Sequence, residues 1–381
     1  AQRVGSSLIP FFAFQPTSTA MSELYKETPL ILSHALSRPD FAVYLKFETV
    51  QPGMSFKSRG ISNFAKHAKE DRGETVHLVI ASGGNAGIAA ACAARSLNVK
   101  CTVFIPAGAS PAIVKFLQNQ DARTVVGGVK YSDALEAAKQ LASQDVNAVL
   151  VPAYDDPVVW EGHASLIHET VKQLPEPPSV ILCSVGGGGL LGGVIAGCAQ
   201  VGWDSVPIVA LEAIGTDCFY HTMALNRRGD KAALPPGVTV VHDEIHNVDL
   251  AHFSSFHSKA SGSLGASQPA AGVVKMALER SGPVFCVTVP DELSMQAACA
   301  FVDDHKTMVE LACSTTLVAA YNPELLDRIV PQDGKRRTAL FVVCGGFKVS
   351  LEDLAGYAQH LQTYSGPLNA FCDGEELKIK F

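Results

Sequence analysis

From residue 41 onward the chain alternates short runs of β-branched and aliphatic residues with longer stretches of helical periodicity. Runs at 41–48, 76–81, 100–105, 124–126, 148–152, 180–185, 207–212, 284–289 and 339–344 predict buried strands. Helices are predicted at 55–71, 85–97, 111–118, 132–143 and 157–173. Repeated βα units of this kind imply a parallel sheet with helices on both faces. Residues 225–269, with Pro235, Pro236 and many serines, interrupt the pattern and predict loops and short strands over a site. At 381 residues the chain is long enough for two such domains.

Composition narrows the function classes. Hydrophobic residues make up 47% and charged residues 18%, which suits a large core and excludes disorder. A net charge of −7 without any basic run argues against nucleic acid as a partner. No stretch reaches about 18 uninterrupted apolar residues, so no membrane span is expected. The ten cysteines lie mostly inside apolar runs, where thiols pack as small hydrophobes, and they match no zinc spacing. Residues 1–20 lack a secretory pattern and are expected to be a disordered or extraneous extension, with a reducing, cytoplasmic setting for the rest.

Ligands of open α/β sheets sit at the carboxyl ends of strands. Four strand-to-helix junctions carry unusual residues there. The first is Gln51-Pro52-Gly53-Met54-Ser55-Phe56-Lys57-Ser58-Arg59-Gly60. Pro52 and Gly53 turn the chain, Ser55 is the expected N-cap, and Lys57 falls in the first helical turn. The helix dipole and desolvation in a cleft both lower the pKa of a lysine so placed, which suits Schiff-base chemistry. A surface lysine paired with Glu48 is the structural alternative. The second junction, Ala81-Ser82-Gly83-Gly84-Asn85-Ala86-Gly87, opens a helix of small residues. Its amides could hold a carboxylate or phosphate, and Asn85 adds two donors and an acceptor; a tight turn with an Asn cap fits as well.

The third junction is Ser184-Val185-Gly186-Gly187-Gly188-Gly189-Leu190-Leu191-Gly192-Gly193. Four consecutive glycines have no packing reason visible in the sequence and carry a backbone-entropy penalty, so a nest of amides for a phosphate is expected. The same residues satisfy Gly187-x-Gly189-x-x-Gly192, a dinucleotide fingerprint, with Glu212 ending the next strand about 20 residues on. The fourth, Val342-Val343-Cys344-Gly345-Gly346, ends a strand in a thiol and two glycines; Cys344 could meet a ring nitrogen or simply pack.

Taken in order, the four junctions resemble the fold type II pyridoxal-phosphate enzymes of the tryptophan-synthase-β group, and within it the L-serine/L-threonine dehydratases. The segments Asp155-Asp156-Pro157-Val158-Val159-Trp160-Glu161-Gly162-His163, 184–191 and Phe301-Val302-Asp303-Asp304 are similar to the same subfamily. The dinucleotide alternative explains one junction, whereas this resemblance accounts for four. It implies two open parallel-sheet domains with helices on both faces. A small domain of residues 57–154 would be inserted between 21–56 and 155–381, which form the large cofactor-binding domain. Lys57 would form a Schiff base with pyridoxal phosphate and serve as the base at the substrate Cα. Phe56 would pack near the ring, and Gly186, Gly187, Gly188 and Gly189 would bind the phosphate. Asn85 would meet the phenolic oxygen, and Cys344 the ring nitrogen. Ser82, Gly83, Asn85 and Ala86 would line the substrate carboxylate site, with Ser263 nearby. Glu212 matches a position that helps bind a monovalent or divalent cation in relatives. A small-molecule amino-acid substrate and a homodimer are also implied.

The chain departs from the family pattern in several places. Pro-Ser-Gly-Ser-Phe-Lys becomes Pro52-Gly53-Met54-Ser55-Phe56-Lys57, and Glu-Pro-Ala-Cys-Gly becomes Glu310-Leu311-Ala312-Cys313-Ser314. Cys-Gly-Gly-Ser becomes Cys344-Gly345-Gly346-Phe347, and Ser263 replaces a small Ala or Gly. Cofactor-holding residues are kept while positions around the substrate differ. The implied reaction is β-elimination of L-serine or L-threonine to a 2-oxo acid and ammonia. The open alternatives are β-replacement or racemisation, for which the hydroxyl of Ser82 or Ser263 on the face opposite Lys57 would serve as a second catalytic acid/base, elimination on another β-substituted amino acid, or a non-catalytic module that kept the phosphate cup.

Overall fold

The computed structural model describes residues 24–228, 233–332 and 334–379, so the expected extension at 1–20 lies outside the described residues. In chain order the strands are β1 (Leu30–Leu32), β2 (Phe41–Phe47), β3 (His77–Ala81), β4 (Lys100–Ile105), β5 (Arg123–Val126), β6 (Ala148–Leu150) and β7 (Val180–Ser184). There follow β8 (Ile208–Ala213), β9 (Val238–Asp243), β10 (Val248–Phe253), β11 (Val284–Val289), β12 (Arg337–Val343), β13 (Asn369–Cys372) and β14 (Glu375–Lys378). They form an eight-stranded sheet in the order β1-β2-β12-β7-β8-β11-β13-β14, a four-stranded sheet β5-β4-β3-β6, and the hairpin β9–β10.

The small sheet is parallel throughout, and so is the centre of the large one, from β2 to β11. The two expected parallel sheets are present, and the large one adds antiparallel edges: β1, β13 and β14 pair antiparallel. With one face toward solvent they lack the continuous apolar run of a central strand. The irregular stretch 225–269 contains the hairpin, whose strand β9 is largely exposed.

Register aligns the junctions. Val343 at the end of β12 pairs with Phe47 at the end of β2, and β7 ends beside β8 at Ser184–Leu211. The chain therefore leaves β2, β12 and β7 on one rim of the large sheet. The helix Asn85–Leu97 leaves the small sheet from β3; eleven of its residues are buried, most of them alanine, and Asn98 in the left-handed region ends it.

Two helices join these sheets. The helix Lys57–Arg72 crosses Pro157–Gln173 at Gly60 and Gly162; a Cβ on Gly162 would lie 2.7 Å from the Gly60 Cα, so the crossing requires both glycines. Beneath it is a buried ion network. Arg59, fully buried, donates to Glu48 Oε2 at 2.7 Å and Oε1 at 2.8 Å, and to Glu169 at 2.5 and 2.7 Å. Lys46, also fully buried in β2, donates to Glu169 at 2.7 Å and to the Thr28 carbonyl at 2.8 Å. Buried charge of this kind survives only when fully paired. The network locks β2, the Lys57 helix and the Pro157 helix together. Glu48 thus pairs with Arg59, not with Lys57.

Candidate active site

Lys57 is the first residue of its helix, but Ser55 does not cap it. Phe56 occupies the N-cap position without a side-chain hydrogen bond, and the Ser55 hydroxyl is buried with no partner. The reason is that Ser55 is already engaged elsewhere. It bridges Gly345 in antiparallel fashion, the Phe56 amide donates to the Cys344 carbonyl at 3.0 Å, and Gly346 donates to the Met54 carbonyl at 2.8 Å. The first junction is therefore pinned onto the fourth by main-chain bonds. A Cβ on Gly345, at φ 78°, would collide with the Met54 carbonyl.

Lys57 Nζ is half-buried, donates to the Ala153 carbonyl at 3.0 Å and lies 5.1 Å from the Phe56 ring centroid. Burial lowers its pKa from 10.5 to about 8; attraction from Cys344 and Glu310 opposes this, and the Lys348 cation adds to it. The sign of a pH effect follows. Only the neutral amine attacks a carbonyl, and its fraction rises through the pKa. Capture of pyridoxal phosphate by the cofactor-free protein, followed by absorbance, is expected to accelerate with pH and level off above about 8. Continued acceleration toward 10.5 would show a solvated lysine instead.

The third junction has the packing reason that the sequence does not display. A Cβ on Gly187 would collide with the Tyr154 ring, one on Gly186 would lie 2.7 Å from the Leu264 carbonyl, and one on Gly189 3.0 Å from Tyr154. Gly188 takes φ 93°, which favours glycine. The close approach brings the turn at Ala153–Tyr154, which holds Lys57, against the start of the helix Gly189–Gln200. Among the described residues the amides of Gly186, Gly187, Gly188 and Gly189 donate to no protein group, and Gly188 and Gly189 are buried. Unpaired buried amides at a helix N-terminus form an anion cradle. The residues present therefore fit pyridoxal phosphate: the cradle suits its phosphate, Lys57 its aldehyde, and the orphaned Ser55 hydroxyl lies on the same rim.

Cys344 is buried, its Sγ 3.5 Å from the Ser184 hydroxyl, so the ends of β12 and β7 meet at the thiol. From the second junction, Ser82 accepts the Gly84 amide at 3.3 Å, and Ala86 is buried in the first turn of the helix Asn85–Leu97. Asn85 Nδ2 donates to Glu310 at 3.0 and 3.1 Å, and its Oδ1 accepts the Phe347 amide at 3.0 Å. Glu310 also accepts from Ser263 Oγ and from the Lys348 amide, both at 2.6 Å. A Cβ on Gly346 would collide with this carboxylate. Glu310 thus ties Asn85, Ser263 and the residues after Cys344 into one unit. Sequence reasoning singled it out only as part of a motif departure.

Arg59 and His163 were also missed as support residues. His163 lies 4.9 Å from Phe56 between ring centroids, and accepts the Gly60 amide at Nδ1. Burial, then Lys57 and Arg59, hold it well below the usual histidine range. Glu212 stands apart from this cluster, at the end of β8. Its two oxygens accept the amides of Phe219 and Tyr220 at 3.0 and 2.6 Å, and burial with neighbouring Asp217 raises its pKa well above the usual range. No group of three or more His, Cys, Asp or Glu residues that could hold a metal occurs among the described residues.

Comparison with known proteins agrees with this geometry. The human L-serine dehydratase/L-threonine deaminase is 37% identical over 344 residues, covering 89% of this chain and 96% of that protein. A mouse serine dehydratase-like protein is 38% identical over 335 residues, covering 87% and 93%. The crystal structure of an L-serine ammonia-lyase from Rhizomucor miehei superimposes with a TM-score of 0.77 at 28% identity, covering 88% of this chain and 98% of that one. Residues 21–345 match the pyridoxal-phosphate dependent enzyme family model, and with its glycine cradle and half-buried lysine this chain belongs to that family.

Proposed function

We propose that the protein eliminates water from L-serine and/or L-threonine, giving pyruvate or 2-oxobutanoate and ammonia. The convergence of Lys57, the unpaired amides of Gly186–Gly189 and Cys344 on one rim carries this reading, and the names of the most similar relatives support it. Bound pyridoxal phosphate supplies the electron-withdrawing ring that acidifies the substrate Cα–H. Lys57 Nζ takes that proton. The amides of Gly186, Gly187, Gly188 and Gly189 would hold the phosphate, and Phe56 would pack near the ring. Ser82, Gly83, Asn85 and Ala86 hold the substrate carboxylate, with Asn85 fixed by Glu310. Cys344 would offer the ring nitrogen a thiol rather than a carboxylate. That favours elimination, in which charge departs with the hydroxyl, over reactions needing a long-lived carbanion.

In this reading residues 57–154 form the small domain and close over the substrate, excluding water. Glu212 contributes to a monovalent- or divalent-cation site, and the protein works as a homodimer in the cytoplasm. Among the described residues no helix is long and apolar enough to cross a membrane.

The test is a substrate panel on the purified, cofactor-loaded protein. A yellow protein that releases pyruvate from L-serine or 2-oxobutanoate from L-threonine is the expected result. A yellow protein that releases neither ends the elimination reading and leaves the cofactor assignment standing. Formation of D-serine, or Cα deuterium exchange without 2-oxo acid, would favour racemisation, for which the Ser263 hydroxyl donating to Glu310 offers a second proton carrier.

A further inference from the structure

One cation in the cleft has no part in the chemistry above. Lys348 follows the Cys344-Gly345-Gly346 turn, and its amide is held by Glu310. Its side chain lies across the cleft between the loops of the second junction and of Ser263. A Cβ built on Gly84 would collide with its Cε and lie 2.8 Å from its Nζ; one on Gly262 would lie 3.4 Å from Nζ. The ammonium therefore occupies space that only a glycine at 84 leaves open. It donates to the Gly262 carbonyl and, among the described residues, forms no ion pair. Glu310, the carboxylate facing it, has its oxygens taken up by Asn85, Ser263 and the Lys348 amide. An ammonium carries three donors, so a half-buried charge with a single carbonyl partner leaves two donors and its charge for a ligand. Once Lys57 is engaged by the cofactor, Lys348 is the cation left facing the substrate loops.

We propose that Lys348 binds a second anionic group on the substrate, so that the site takes β-hydroxy amino acids carrying a further carboxylate on Cβ. This rests on the elimination reading of the same site. The α-carboxylate takes the loop 82–86, and the β-carboxylate takes Lys348 between Gly84 and Gly262. The chemistry stays redox-neutral. The Cα–H and Cβ–O bonds break, the hydroxyl leaves as water, and hydrolysis of the resulting imine consumes one water and releases ammonia with the 2-oxo dicarboxylate.

The experiment compares the threo and erythro isomers of L-3-hydroxyaspartate with L-serine, using cofactor-loaded wild type, Lys348→Met and Lys348→Arg. Calorimetry of malonate against acetate binding to the same proteins runs alongside. Charge-assisted contacts of this kind correspond to about tenfold or more in affinity. In the wild type kcat/KM for one hydroxyaspartate isomer is expected to exceed that for L-serine at least tenfold. Lys348→Met should remove that advantage while changing L-serine by less than about twofold, and Lys348→Arg should restore most of it. Malonate should bind at least tenfold tighter than acetate in the wild type and lose this margin in Lys348→Met. The proposal is overturned if Lys348→Met lowers both substrates by the same factor, which would place the lysine at the α-carboxylate or in a structural role, or if malonate binding ignores the substitution. If no amino acid is turned over but malonate selectivity still depends on Lys348, the elimination reading fails and the anion site stands.

Discussion

Lys57→Ala is expected to give a folded, colourless protein that releases 2-oxo acid at least about a thousandfold more slowly than the wild type. A positioned base alone contributes roughly 10²–10⁴ in rate, and this residue is also the only covalent tether proposed for the cofactor. The fold should survive, because the Lys57 side chain makes a single hydrogen bond, to the Ala153 carbonyl, and its helix is held by Arg59 and by the Gly60–Gly162 crossing. Far-ultraviolet circular dichroism and the visible absorbance band together separate the two effects. Retained colour and retained turnover in Lys57→Ala would remove the assignment of this lysine.

The second large effect is on stability. Arg59→Met leaves Glu48 and Glu169 buried without their principal partner. Removing one member of a buried ion pair costs about 3–5 kcal/mol, and Arg59 engages both carboxylates through four hydrogen bonds, with further contacts to Ser165 and Thr28. Urea unfolding of the variant should show that loss as a lower midpoint. Because Arg59 lies two residues from Lys57, cofactor capture should weaken as well. A midpoint within experimental scatter of the wild type would mean that the network is dispensable. The double substitution of Arg59 and Glu169 by apolar residues is expected to cost less than the sum of the singles, since neither charge is then left alone.

These two residues, two positions apart, show how differently the sequence exposes its functions. Lys57 was legible because it stands at a strand-to-helix junction beside Pro52 and Gly53. Arg59 was not, because nothing local marks an arginine as buried; its partners are 11 and 110 positions away. The central strands were legible for the same reason as Lys57. A strand buried on both faces writes a continuous apolar run, and the predicted and observed strands agree to within about two residues at β2, β3, β4, β7, β11 and β12. The short antiparallel edges β1, β13 and β14 write no such run. The glycines of the third junction were visible, but their packing against Tyr154 and Leu264 was not.

What the sequence determined by itself is the alternation that makes parallel sheets, and the residue types delivered to each strand end: lysine, asparagine, glycines and a thiol. Those are local properties of hydrophobic period and turn chemistry. What only the tertiary structure decided is how the junctions meet. Main-chain bonds pin Ser55 and Phe56 onto Cys344 and Gly345, Tyr154 packs on the glycine cradle while Ala153 beside it holds Lys57, and Glu310 gathers Asn85, Ser263 and Lys348. The physical reason is that a buried carboxylate or ammonium must find its partners wherever the fold brings them, and sequence separation places no limit on that search.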